Sequence, residues 1–185
     1  MEQTGRGTPE VGIHSSIALP WYALQVRSRH ERMIAAALLF KGYEGFLPLY
    51  CKKSRWSDRI RELNLPLFPG YLFCRFDIRN RLPILITPGV VRVVGIGKSP
   101  HPVDEAEISS IQAVIASGVQ VEPVPYMHAG QKVRIEHGSL SGVEGILVGA
   151  RGPARLVVSV TLLQRSISVE IDECSVKPAD RQCVH

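Results

Sequence analysis

Residues 65–77 read LPLFPGYLFCRFD, and the fold turns on how this stretch is placed. Pro66 and Pro69 lack backbone donors, so residues 66–70 cannot be helical and are poor material for a central strand. A tight turn is expected at Pro69-Gly70. After it, Tyr71, Phe73 and Arg75 alternate with Leu72, Cys74 and Phe76, the period-two pattern of a strand with two different faces. One face must pack a core. The other presents Tyr71 and Phe73 beside a rigid turn, and two readings are open. Exposed aromatics mark a partner site, whereas a strand covered on both faces makes them core. Composition favours the second.

Immediately upstream, KKSRWSDRIRELN at residues 52–64 interleaves Lys52, Lys53, Arg55, Arg59 and Arg61 with Trp56 and Ile60. Apolar residues do not recur there at helical spacing, so a basic arm or hairpin projecting from the sheet is expected. Its cations suit phosphates and Trp56 suits stacking; an exposed loop with one packing tryptophan describes it equally well. Further back, Phe46, Leu47, Leu49 and Tyr50 form a strand interrupted by Pro48. The first ordered element is a strand opening at Trp21-Tyr22, after a disordered leader over 1–19. Ser28 and Glu31 then have the spacing of a capping box, which predicts a helix over 29–41. Met33, Ile34, Ala37 and Leu38 make its buried stripe, and Gly42 ends it. Arg27, Arg29, His30 and Arg32 cluster at the strand-to-helix junction, a combination suited to phosphate. A solvated face is the plainer reading of that cluster.

Downstream, residues 79–86 form a short helical candidate interrupted by Pro83, and residues 87–95, TPGVVRVVG, a turn and a buried strand. Asp104 caps the next helix with Glu107 at the capping-box position; Ile108, Ile111 and Ile115 form its stripe and Gly118 its end. The pattern changes over VQVEPVPYMH, which places a linker at 122–128 between an N-terminal domain (20–121) and a second domain (129–180), followed by a tail at 181–185. Strands are expected at 132–136, 146–148, 156–162 and 167–171, the last with Ser168 and Glu170 facing outward. About five strands in roughly fifty residues without a helix indicate a small closed barrel. The fold class is therefore α+β: an antiparallel sheet flanked by helices, then a five-stranded β-barrel.

The chain has 185 residues, 45% hydrophobic and 21% charged, enough for a core without staples. A net charge of +5 permits contact with a polyanion without demanding it. Cys51, Cys74, Cys174 and Cys183 form no CxxC pair and are read as reduced thiols, with no metal, disulfide or cofactor. No cysteine shares a motif with a histidine, so a hydrolase is not expected. Without a signal peptide or a membrane-spanning run, the expectation is a soluble, cytoplasmic protein.

Order and spacing of these features resemble a known family. The Trp21-Tyr22 start, the basic first helix, Phe-Pro-Gly-Tyr at 68–71 and Pro-Gly-Val through Gly95 at 88–95 are similar to the NusG N-terminal (NGN) domain. Gly130, Val133, Ile135, Gly138, Gly142, Gly145, Arg155-Leu156 and Val169-Glu170 resemble a KOW domain, which has an SH3-like barrel. The resemblance covers 20–178, and the Pro-Leu-Phe-Pro run with the basic arm looks closer to the specialised RfaH and UpxY-type antiterminators than to housekeeping NusG. It implies a monomeric, non-enzymatic bacterial elongation factor that grips the clamp helices of the largest RNA polymerase subunit and suppresses pausing or termination. That grip would fall on Phe68, Pro69, Tyr71 and Phe73, with Trp21 and Tyr22 nearby, leaving Leu72, Cys74 and Phe76 for the core. Nontemplate DNA would meet Arg27, Arg29, His30 and Arg32, with Lys53 and Arg55 on the arm. The KOW half would recruit Rho or a small-subunit ribosomal protein through Leu140 and Val143. The alternative is a ribosome- or RNA-associated KOW protein whose barrel alone carries the partner.

Overall fold

The strand opening at Trp21 forms as β1 (Trp21–Val26) and becomes the centre of the N-terminal sheet. The computed structural model describes residues 19–56, 59–126, 130–148, 154–171 and 176–179; the side chains of residues 53–61 are outside that description. The expected leader through residue 18, the tail at 181–185, Cys174 and Cys183 also lie outside the described residues.

After β1 come α1 (Glu31–Phe40), β2 (Glu44–Phe46), the long hairpin β3 (Leu49–Trp56) and β4 (Arg59–Pro66), then β5 (Tyr71–Arg75). A short helix α2 (Leu82–Leu85) leads to β6 (Val90–Val93), the small hairpin β7 (Gly95–Ile96) and β8 (Ser99–Pro100), β9 (Pro102–Val103) and α3 (Glu105–Ala116). In the sheet, β5 lies antiparallel along one side of β1, with β2 beyond it, while β6 and β9 share the other side. The basic arm is thus a hairpin standing apart as its own two-stranded sheet, with Leu49 opposite Pro66 and Trp56 opposite Arg59.

Both faces of β1 and β5 are covered. Tyr22, Leu24, Leu72, Cys74 and Phe76 pack with Ile34 and Leu38 of α1. On the opposite face Trp21, Ala23 and Phe73 join Phe68 and, from α3, Ile108 and Ile111. The strand covered on both faces, which composition favours, is the one that forms; the exposed face implied by the family resemblance does not hold for Phe68 and Phe73, which are 1% and 0% exposed. The physical reason is α3: a helix packing on the second face needs the apolar surface that the aromatics supply.

Several local expectations shift for related reasons. The first helix starts at Glu31 with His30 as its cap, and no side chain caps it. Met33, expected in the buried stripe, is exposed, because α1 buries the narrower row Glu31, Ile34 and Leu38. Pro83 lies in the first turn of α2 instead of interrupting a helix, where its missing N–H costs nothing. The expected buried strand around Arg92 is β6, at the edge of the sheet, with Val91 and Arg92 exposed and the Arg92 Nε–H donating to Gln25 Oε1 at 2.7 Å.

Burial has a titration consequence at Cys74. Removal from water, with the Glu44 carboxylate second, pushes its thiol from 9.0 up to about 12. Between those values the unfolded chain loses the proton while the fold keeps it, so the native state binds more protons and stability falls as pH rises from 9 towards 12. The contribution is about 1.4 kcal/mol per pH unit within that window and none below it. Urea titrations at several alkaline pH values should show a shallower decline in Cys74→Ala than in the wild type. Equal slopes would contradict the prediction.

The second half is a six-stranded antiparallel sheet of β10 (Val121–Pro125), β11 (Gln131–Ile135), β12 (Glu144–Val148), β13 (Arg155–Val160), β14 (Arg165–Glu170) and β15 (Val176–Pro178). Its order is β10-β14-β13-β12-β11-β15. The two outermost strands are not apparent from the sequence pattern. Residues 122–125, expected as linker, pair with β14, Val121 opposite Val169 and Pro125 opposite Arg165. Pro123 and Pro125 are tolerated because β10 is an edge strand with one partner. Ser168, expected to face outward, is 5% exposed, and Ser166 beside it shares a 2.7 Å hydrogen bond with Ser159.

The halves share one buried cluster that runs from Trp21 and Phe73 through Ile111 and Val114 of α3 to Val158, Val160 and Ile167. Where they meet, the Thr161 backbone N–H donates to both carboxylate oxygens of Glu107, at 3.1 and 3.3 Å. The expected capping box of α3 is therefore half formed. Asp104 accepts from the Ala106 N–H at 2.9 Å, while Glu107 reaches across to the second half.

Candidate functional site

Three tight turns meet at one end of the N-terminal sheet. The first leaves β1: the His30 N–H donates to the Arg27 carbonyl at 3.2 Å, with Ser28 and Arg29 at the corner. In the second, entering β5, the Tyr71 N–H donates to the Phe68 carbonyl at 3.0 Å around Pro69-Gly70. The third enters β6, where the Val90 N–H donates to the Thr87 carbonyl at 3.0 Å around Pro88-Gly89. Gly70 and Gly89 have φ of 80° and 93°, so both Pro-Gly pairs carry the signature of a type II turn. Arg29 holds the equivalent corner of the first turn with φ of 68°, a conformation that favours glycine.

Short backbone bonds lace the turns together. The Val26 N–H donates to the Gly70 carbonyl at 2.8 Å, and the Arg27 N–H to the Gly89 carbonyl at 2.9 Å. A Cβ added at Gly70 would sit 3.3 Å from Ser28 Oγ, and one at Gly89 only 2.7 Å from Ile34 Cδ1, so the turns are pressed onto β1 and α1. Glu31 closes the junction. Its side chain is 4% exposed, and its Oε1 accepts from the Gly70 N–H at 2.9 Å. Sequence reasoning gave Glu31 a capping role, because the donor it serves lies 39 residues away in the chain.

Three guanidinium groups and an imidazole surround this junction: Arg27, Arg29, His30 and Arg32 are all exposed. Arg32 Nη2 donates to the Asn64 carbonyl of β4 at 2.9 Å, which joins the cluster to the basic hairpin. The side chains of Lys53 and Arg55 lie outside the described ones. In the turn and its surroundings, Pro69 is exposed and Tyr71 half-buried, whereas Trp21, Tyr22, Phe68 and Phe73 are buried. The Trp21 ring lies under the Arg75 guanidinium, 4.7 Å from its centroid, and Arg75 is also paired with Glu44 and Glu105.

Comparison with known proteins identifies the family. A family model described as "Transcription termination factor nusG" matches residues 19–112. The chain belongs to the NusG family. NusG of Helicobacter pylori strain 26695 is 25% identical over 178 residues, covering 83% of this chain and 94% of that protein. NusG of Buchnera aphidicola subsp. Baizongia pistaciae is 27% identical over 183 residues, covering 89% and 99%. Both are named transcription termination/antitermination proteins. A solved structure concerned with domain interaction in Thermotoga maritima NusG shares the fold, with a TM-score of 0.50 at 20% identity over 87% of this chain and 97% of that one. NusG-family membership places the chain among transcription factors, not enzymes.

Two further features of this NusG-family chain bear on partners. Leu140 and Val143, expected as a contact loop, are 6% and 1% exposed and pack inside the second half. The resemblance implies these two positions, whereas the neighbouring Ser139 and Ser141 are exposed. An open cleft of about 1010 Å³ separates residues 49–52 of the hairpin from residues 118–123, and it includes neither the turn at 68–71 nor the basic junction. Among the described residues no helix is long and apolar enough to cross a membrane.

Proposed function

We propose that this NusG-family protein binds the clamp helices of the largest RNA polymerase subunit through the turn at residues 68–71 and the nontemplate DNA strand through the basic junction, suppressing pausing or termination. The observation that carries the reading is the meeting of an exposed Pro69 and half-buried Tyr71 with three exposed arginines and His30 at one end of the sheet. Such a surface offers a helical hairpin an aromatic edge on a preorganised turn. It offers a single strand fixed positive charge. Trp21, Phe68 and Phe73 belong to the cluster against which Tyr71 packs and serve as its base, while Tyr22 packs on the opposite face of the sheet. Binding energy given to the active form of the polymerase over the paused one shifts the population between them. The second half then recruits a further factor, a small-subunit ribosomal protein or Rho, through the loop around Ser139 and Ser141.

Affinity for a clamp-helix fragment tests the polymerase contact. Tyr71→Ala is expected to weaken it about tenfold, the loss of a typical interface aromatic. Unchanged affinity in a folded variant would remove the turn from the interface.

A further inference from the structure

We propose that Glu31 is a positioning residue that locks the Pro69-Gly70 turn and the basic β1–α1 turn into one unit, so that a partner bound at one raises the affinity for a partner bound at the other. The inference rests on the polymerase and DNA reading above and adds the device that joins the two surfaces.

Glu31 is unusual among the described acidic residues: it is the one carboxylate in the buried polar group of the core, which otherwise holds Thr87, Ser166 and Ser168. Taking a carboxylate out of water is unfavourable unless a donor compensates it. Here a compensating donor is the backbone N–H of Gly70, the corner of the turn that carries Pro69 and Tyr71. Glu31 itself opens α1, directly after His30 and beside Arg32. The neighbouring bond from the Val26 N–H to the Gly70 carbonyl makes the clamp two-sided, since Gly70 gives its N–H to α1 and accepts from β1. The two turns also pack side by side: a Cβ at Gly70 would lie 3.3 Å from Oγ of Ser28, the residue between Arg27 and Arg29. Coupling follows when the two turns exchange between this clamped arrangement and a looser one and each partner binds the clamped one better, because the bond to Glu31 makes both turns share that equilibrium. Coupling between two binding sites is reciprocal, so either partner serves as the probe.

The experiment uses the full chain, a clamp-helix fragment of a bacterial RNA polymerase and a labelled single-stranded DNA oligonucleotide. Saturating fragment is expected to tighten DNA binding at least about fivefold in the wild type, the lower end of ordinary coupling. Glu31→Gln keeps an acceptor for the Gly70 N–H and should retain most of that factor, whereas Glu31→Ala should reduce it to near one while binding each partner singly. Full coupling in Glu31→Ala, or its absence in a wild type that binds both partners, overturns the inference and leaves the underlying reading intact. A wild type that binds neither partner overturns both. A measurement on the wild type guards against an unfolded variant: DNA alone should slow hydrogen exchange at the Gly70 amide by about the same fivefold factor, and unchanged exchange there also overturns the inference.

Discussion

Replacing Phe73 with alanine is expected to lower the stability of the protein by about 3–5 kcal/mol, the usual cost of truncating a fully buried phenylalanine. The side chain is 0% exposed and packs against two other rings: Phe46 stacks beside it with centroids 6.1 Å apart, and Phe68 meets it edge-on at 5.9 Å. Across the sheet it faces Ala23 of β1, which is too small to fill the space left behind. Since a domain of this size holds only about 5–15 kcal/mol in total, the loss is a large fraction of the whole. Urea unfolding should show a lower midpoint with an unchanged slope, and Phe73→Leu, which preserves most of the volume, should cost less than about 1.5 kcal/mol. A midpoint unmoved by Phe73→Ala would mean that the ring is a surface group. The same result bears on interface mapping: weakened polymerase binding in Phe73→Ala reflects a softened base beneath Tyr71, so Tyr71→Ala is the cleaner probe of contact.

What the sequence makes legible follows from how local each signal is. The Pro69-Gly70 turn, the alternation of Tyr71 through Phe76 and the stop at Gly118 are set by residues adjacent in the chain, and each forms in place. The glutamate half of both capping boxes fails in the same way. Glu31 and Glu107 stand at the right spacing to cap their own helices, yet each carboxylate accepts from a distant backbone N–H, Gly70 in one case and Thr161 in the other. The spacing rule sees only the local donor, and a distant donor that packing brings within 3.1 Å outcompetes it. Composition favours a covered strand while the family resemblance puts Phe68 and Phe73 on a gripping surface, and the local pattern cannot decide between the two. Alternation shows that a strand has two faces but does not show that α3, which follows much later in the chain, covers the second. The basic junction was legible as a cluster of charges; that it lies against two Pro-Gly turns depends on the pairing of β1 with both β5 and β6.

Arg29 should give the clearest separation of function from stability. Its φ of 68° stands at a turn corner where the two neighbouring turns carry glycine, and the left-handed conformation costs a non-glycine residue about 1–2 kcal/mol. Arg29→Gly relieves that strain at the expense of some chain entropy, so the protein should become more stable by about 0.5–1 kcal/mol. The same substitution removes a fixed cation from the junction and should weaken binding of single-stranded DNA. Combined with Arg27→Ala and Arg32→Ala, the weakening is expected to reach on the order of 100-fold at moderate salt, and the dependence of log affinity on log salt should flatten by about 2, near 0.7 for each phosphate no longer neutralised. Arg29→Lys separates charge from strain, since it keeps both the cation and the unfavourable corner and should bind nearly as the wild type does. A residue that costs the fold free energy persists where the conformation serves something other than folding. If Arg29→Gly instead left DNA affinity and its salt slope intact while raising stability, the strained corner would have no part in nucleic-acid binding, and the basic junction would be reduced to a solvated face.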